Sequence, residues 1–233
     1  MRYTQLFLLL TGLFIISCNS QDQPVSTESI SFLALGDSYT IGTSVDSAGR
    51  WPVQLTDSLT KHGFNISDLK IVATNGWTTD ELHSGLASDD LAPAYDLVSL
   101  LIGVNNQYRG YDIDIYRTEF RELLEHAIDY AGSDTSRVFV LSIPNYGVTP
   151  FARNRQPDKI RQELNNYNEI ASVISAEYGI PFIDITPISE LAAFDPSLLA
   201  SDSLHPSAIM YSQWVSEALP VVKNMIENES DEQ

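Results

Sequence analysis

The chain contains a single cysteine, Cys18, in 233 residues. One thiol excludes an internal disulfide framework and a cysteine-ligated zinc site, and its position ahead of the folded domain leaves that domain without a cysteine nucleophile. Positive charge is also scarce, with 13 Lys and Arg against 31 Asp and Glu and a formal charge of -18. The resulting field repels phosphate backbones and anionic membrane surfaces, so nucleic acid is not an expected partner. Several motifs are missing as well. No serine is flanked at two residues by glycines, which excludes the nucleophile elbow of the α/β-hydrolase fold. Neither the glycine-rich dinucleotide fingerprint nor the phosphate-binding loop occurs. Because the HExxH spacing is absent and the four histidines are scattered, the expectation is no metal and no cofactor.

The beginning of the chain is different in kind. Arg2 precedes an apolar run, "LFLLLTGLFII" from Leu6 to Ile16, which is too short to span a bilayer as a mature helix and ends on the small residue Ser17. Residues 1–17 therefore read as an export signal. "IISC", Ile15 to Cys18, resembles the lipobox of bacterial lipoproteins, in which the cysteine becomes the lipid-carrying first residue. This resemblance implies lipidation of Cys18, a membrane attachment and a place in the cell envelope, on its periplasmic or surface face. Two or more acyl chains would hold such a protein stably where one gives only marginal binding. Residues 18–29 read as a solvated tether, the folded domain is expected over residues 30–228, and the acidic tail over residues 229–233 is expected to be irregular, as is the stretch "ENESDEQ" from Glu227.

Within the domain, short runs of branched apolar residues alternate with helical periodicity. "ISFLAL" from Ile30, "LKIVAT" from Leu69, "YDLVSLLIG" from Tyr95, "RVFVLSI" from Arg137 and "IPFIDI" from Ile180 read as strands buried on both faces. Tyr116, Phe120, Leu123, Leu124, Ala127 and Ile128 recur at helical spacing. So do Ile160, Leu164, Tyr167, Ala171, Ile174 and Tyr178. Trp51, Leu55 and Leu59 mark another helix, with Pro52 in its first turn, and "TTDELHSGLAS" from Thr78 a fourth. The alternation predicts an α/β fold: a five-stranded parallel sheet with helices on both sides, whose ligand site lies beyond the carboxyl ends of the strands.

Four segments follow strands there: "GDSYT" at Gly36, "NGW" at Asn75, "GVNNQYRG" at Gly103 and "PNYGVTPFARNRQP" from Pro144. A serine needs a neighbouring base to become a nucleophile, and histidine is the usual one. His62 stands where a helix ends, and His83 and His126 lie within predicted helices. His205 sits before Pro206 at a loop-to-helix junction, with Asp202 near enough to reach the same imidazole and fix its tautomer.

Gly36, Asp37 and Ser38 resemble the first block of the GDSL, or SGNH, hydrolases, a family of serine esterases and lipases. Gly76 in "TNGWTT", "GVNN" from Gly103 to Asn106 and "DSLHP" from Asp202 resemble its later blocks, in the family's order. The resemblance implies a flavodoxin-like three-layer sandwich in which Ser38 is the nucleophile, His205 the base and Asp202 its orienting partner. It also implies an oxyanion hole made by the backbone N–H groups of Ser38 and Gly76 and the side-chain amide of Asn105. Tyr39 and Asn106 stand where the family often has leucine and aspartate, and Asp37 is expected to hold the strand-end turn. Tyr39, Trp77, Tyr108, Tyr146 and Phe151 are candidates for lining the substrate pocket, with packing an equally good use for each. The substrate is expected to be a small-molecule, lipid or glycan ester. Its acyl group stays open between acetyl on a sugar, a fatty acid on a lysophospholipid and a thioester, as do oligomeric state and a non-catalytic glycan- or lipid-binding module on the same fold.

Overall fold

The computed structural model describes residues 29–230. The expected signal segment, Cys18 and the tether up to residue 28 lie outside the described residues, as do residues 231–233.

Strand β1 (Ser29–Gly36) leads into a short helix α1 (Ser38–Ile41), then α2 (Trp51–Lys61) and β2 (Asn65–Ala73). Next come α3 (Thr79–Ser88), β3 (Leu97–Leu101), α4 (Val104–Arg109), α5 (Ile113–Tyr130), β4 (Val138–Leu141) and α6 (Pro157–Glu177). The chain closes with β5 (Phe182–Ile183), α7 (Thr186–Glu190) and α8 (Ala208–Ser230). The sheet is five-stranded in the order β2-β1-β3-β4-β5, and every neighbouring pair is parallel. The crossover from β1 to β2 thus runs opposite to those that follow, and the right-handed rule sends α2 to one face and α3, α5 and α6 to the other. The packing partners agree, since α2 lies on α8 while α5 lies on both α3 and α6.

The period of the buried residues decides which segments are helices. Tyr116, Phe120, Leu123, Leu124 and Ala127 form the buried stripe of α5, and Ile160, Leu164, Tyr167, Ala171 and Ile174 that of α6. All of β3 is buried, as a central strand covered on both faces requires. Beneath α2, Phe32 of β1 stacks on Phe139 of β4 at 6.1 Å and meets Trp51 at 6.2 Å, and all three rings are fully buried. Edge strand β2 begins at Asn65, earlier than the apolar run from Leu69 indicated, because its first residues are exposed and need only backbone pairing with β1.

Two segments are helical without a pattern that marks them so. "GVNNQYRG" carries no apolar stripe, yet Val104–Arg109 closes into α4 and ends at Gly110 in the left-handed conformation (φ 72°). The acidic tail was expected to be irregular, but α8 carries helical backbone through Ser230.

The strand-to-helix turn at Gly36 has no room for a side chain. A Cβ there would lie 2.3 Å from Thr40 Oγ1 and 2.5 Å from the Leu101 carbonyl oxygen of β3. The hydroxyl can rotate away, but the carbonyl belongs to the sheet. Gly36→Ala is therefore expected to destabilise the domain by about 1–3 kcal/mol, as overpacking does, which thermal unfolding of the two proteins would measure.

Candidate active site

At the carboxyl end of β1, Asp37 caps α1 by accepting the Tyr39 N–H at 3.0 Å. This cap turns the chain so that Ser38, the first residue of α1, is largely buried yet lines a cavity of about 160 Å³. His205 lines the same cavity from the other end of the sequence. Among the described residues no hydrogen bond joins the Ser38 hydroxyl to the imidazole, whose Nδ1 faces Asp202.

Residues 202–205 form a tight loop, closed by the Ala200 N–H donating to the His205 carbonyl at 2.8 Å and by an antiparallel bridge between Leu199 and Pro206. Asp202 Oδ1 accepts the N–H groups of Leu204 and His205, both at 2.9 Å. Asp202 Oδ2 accepts from His205 Nδ1 at 2.7 Å and from the Ser44 hydroxyl at 2.6 Å. Partial burial alone would raise this carboxyl's pKa, but the Ser44 hydroxyl, the His205 ring and the two backbone donors outweigh it and hold it at about 2. The ionised carboxylate thereby fixes the proton on Nδ1 and leaves Nε2 as the ring's available acceptor. Tyr39 packs edge-on against the same ring, with centroids 5.7 Å apart. Ser44 carried no signal in the sequence, because its partner is 158 residues away.

Of the residues expected to donate to an oxyanion, Ser38 and Asn105 line the cavity and Gly76 does not. Asn105 lines the cavity, and its amide donates one hydrogen to the Trp77 carbonyl at 2.9 Å, leaving the second free. The N–H groups of Ser38 and Gly76 donate to no acceptor among the described residues. Gly76 adopts φ 87°, a region open to glycine, and it is the adjoining Asn75 that lines the cavity. Asn106 is fully buried and pairs with Thr79 in both directions, accepting its N–H at 3.1 Å and donating to its hydroxyl at 2.6 Å. Donating and accepting at once requires an amide, which accounts for asparagine at this position.

Tyr39, Tyr108, Tyr146 and Phe151 all line the cavity. Trp77 does not: its ring lies over Gly85 of α3, where an added Cβ would come within 2.3 Å of it, so its role there is packing. Tyr108 and Tyr146 also wall an adjoining groove of about 680 Å³, lined further by Gln107, Arg155, Lys159 and Asn166. Arg155 lies 4.8 Å from the centres of both the Tyr108 and Phe151 rings and donates to the Tyr108 hydroxyl at 2.9 Å. The other histidines are elsewhere. His62 ends α2, with Nδ1 2.8 Å from the Ser58 carbonyl, while the His83 and His126 rings meet edge to face on α3 and α5. Among the described residues no cluster of His, Cys, Asp or Glu could hold a metal ion, and no helix is long and apolar enough to cross a membrane.

The two acids beside this cavity respond oppositely to their surroundings. Asp37 is fully buried with Oδ2 unpartnered, and burial pushes its pKa up to about 7 against the hydrogen bond from Tyr39. An acid whose pKa rises on folding contributes stability that is present below about pH 4 and lost as the pH rises through about 7. Asp202, with a lowered pKa, contributes stability that is present above about pH 4 and lost toward pH 2. Asp37→Asn is expected to gain thermal stability relative to the parent as the pH rises from 4 to 8, whereas Asp202→Asn should be less stable than the parent at pH 4 and above and lose that deficit as the pH falls toward 2. Melting temperatures from pH 2 to 8 check both signs.

Comparison with known proteins places this chain in a family. The model of the GDSL-like lipase/acylhydrolase family matches residues 34–213. An acetylxylan esterase of Geobacillus stearothermophilus is 25% identical over 141 residues, covering 57% of this chain and 62% of that enzyme, so the match spans less than two thirds of the relative. The crystal structure of Axe2, an acetylxylan esterase from Geobacillus stearothermophilus, superposes with a TM-score of 0.64 at 19% identity, covering 83% of this chain and 94% of the other. A member of the lipolytic G-D-S-L family from Veillonella parvula DSM 2008 superposes with a TM-score of 0.60 at 19% identity, covering 84% and 99%. These superpositions share the fold of a five-stranded parallel sheet between helices. The chain belongs to the GDSL-like lipase/acylhydrolase family.

Proposed function

We propose that this protein is a serine esterase that cleaves short-chain acyl esters of polar alcohols through an acyl-enzyme on Ser38. The observation that carries the proposal is the meeting of Ser38 and His205 in one small cavity while Asp202 occupies the far side of the imidazole. His205 Nε2 takes the Ser38 proton as Oγ attacks the ester carbonyl, and Asp202 stabilises the imidazolium that forms. Negative charge builds on the carbonyl oxygen, to which the Ser38 and Gly76 N–H groups and the free Asn105 hydrogen donate. Donors aimed in advance favour the transition state over the ground state. Collapse breaks the bond to the alcohol, which leaves with the proton from His205. Water, deprotonated by the same ring, then releases the acid and restores Ser38.

Cavity size supports a short acyl group. About 160 Å³ is close to the roughly 150 Å³ of a cavity that holds one benzene, a size that favours an acetyl to butyryl group over a fatty chain. The larger groove beyond Tyr108 and Tyr146, lined by amides, charged groups and tyrosines, suits a hydroxyl-rich leaving group. The acetylxylan esterase relative is in keeping with an acetylated glycan as that substrate. Export and lipid attachment through Cys18 belong to the same proposal and rest on the amino-terminal sequence.

Ser38→Ala is expected to abolish hydrolysis of p-nitrophenyl acetate with the circular dichroism spectrum unchanged; full residual activity would refute the proposal. Asn105→Ala should lower kcat by about 10²- to 10³-fold. Across a p-nitrophenyl ester series, kcat/KM should peak at C2–C4 and fall steeply by C8, and an optimum at C8 or longer would contradict the acyl assignment. Cys18→Ala should release the protein from the membrane fraction of the cells that make it, whereas unchanged fractionation would count against the anchor.

A further inference from the structure

Helix α4 holds more than Asn105. Asn105 and Arg109 lie one helical turn apart on the same face and take hold of two successive carbonyls of the turn after β2. Asn105 Nδ2 donates to the Trp77 oxygen at 2.9 Å, and Arg109 Nη2 donates to the Gly76 oxygen at 2.5 Å. The guanidinium also pairs in a fork with Glu81 of α3, Nη1 to Oε1 at 3.1 Å and Nη2 to Oε2 at 3.0 Å. Glu81 Oε2 in turn accepts the Thr78 N–H at 2.9 Å at the start of α3. Arg109 therefore connects the turn at Gly76, the cap of α3 and the last turn of α4, while lining neither the cavity nor the groove.

We infer that Arg109 is a positioning residue for the oxyanion donors, an inference that rests on the donor roles proposed for Gly76 and Asn105. Gly76 has the freest backbone in the turn, and its φ of 87° is held by no side chain of its own. Its carbonyl is held from outside, by Arg109, and this fixes the peptide that follows Gly76 relative to the N–H that precedes it. Loss of that hold lets the Gly76 N–H turn away from the carbonyl oxygen of a bound ester, and an ångström of misplacement at such a donor is costly. Position 109 requires arginine because one planar group must meet two carboxylate oxygens and a carbonyl together. An ammonium is a point charge and cannot span all three. The side chains of Arg109 and Glu81 are more than a third exposed, so the pair's effect is on geometry more than on stability.

Arg109→Ala and Arg109→Lys are both expected to lower kcat by about 10- to 50-fold with KM within about twofold of the parent. That is less than the loss of a donor itself. Because arginine does not titrate in the working range, the pH profile should keep its shape while its height falls. Guanidinium chloride at tens of millimolar should restore part of the turnover of Arg109→Ala, and combining that change with Asn105→Ala should cost less than the product of the two separate losses. A folded Arg109→Ala protein with kcat within twofold of the parent would overturn the inference, as would a loss carried wholly by KM. If Arg109→Ala fails to fold, the kcat of Arg109→Lys decides by the same criteria. An inactive Ser38→Ala alongside normal turnover in Arg109→Ala removes only this inference, whereas a fully active Ser38→Ala removes the serine mechanism beneath it.

Discussion

Everything at the functional face depends on how closely β1 and β3 approach where β1 ends. At Gly36 the backbone passes between the Thr40 side chain and the Leu101 carbonyl with no space for a methyl group. This close approach lets the chain leave the sheet and begin α1 within two residues, so that Ser38 emerges over the rim and not within a strand. Because β2 and β3 flank β1 on opposite sides, their trailing segments come to that rim as well. The topological switch gathers Asn75, Asn105 and Ser38 at one cavity, although they follow three different strands.

Hydrogen bonds, more than apolar contact, then set the geometry. Two neighbouring acids show how strongly surroundings decide chemistry. Asp37 is sealed in the interior with one oxygen unpaired and holds its proton readily, whereas Asp202 receives donors on both oxygens and gives its proton up. The first suits a buried cap, and the second suits a permanent anion beside an imidazole. Left-handed backbone at Ser44 (φ 67°) and Ser203 (φ 61°) accompanies this arrangement. Both serines adjoin Asp202, one through space and one through the chain. Non-glycine residues in that region carry local strain, and here it sits beside the proposed reacting groups.

Much of this was legible in the sequence because it is local. Branched apolar runs and helical stripes such as Tyr116 to Ala127 mark burial directly, and small polar residues after an apolar run mark a strand end. Family likeness then picked out Ser38, Asn105 and His205, which line one cavity, and Gly76, which stands beside it. What stayed hidden depends on contacts between distant segments. The run "VNNQYR" has no apolar stripe, and its helix is held by what its polar side chains grip on residues 76–81. Trp77 has the residue type of a pocket wall, but Gly85 across from it offers a flat seat, and no local pattern records that pairing. Ser44 is legible only once the loop carrying Asp202 is placed.

The order of these parts along the chain has a kinetic consequence. The serine lies near the start of the domain and the imidazole just before the last helix, α8, whose Tyr211 hydroxyl donates to the Tyr39 carbonyl across 172 residues. Helix α8 also packs on α2, so the ring reaches the serine's neighbourhood only when the final segment docks. Contacts so widely separated are slow to close and gain nothing from early local folding. Under the serine mechanism proposed above, a nascent chain emerging in order carries its hydroxyl unactivated through nearly the whole of its synthesis, and competence arrives with the closing of the last helix.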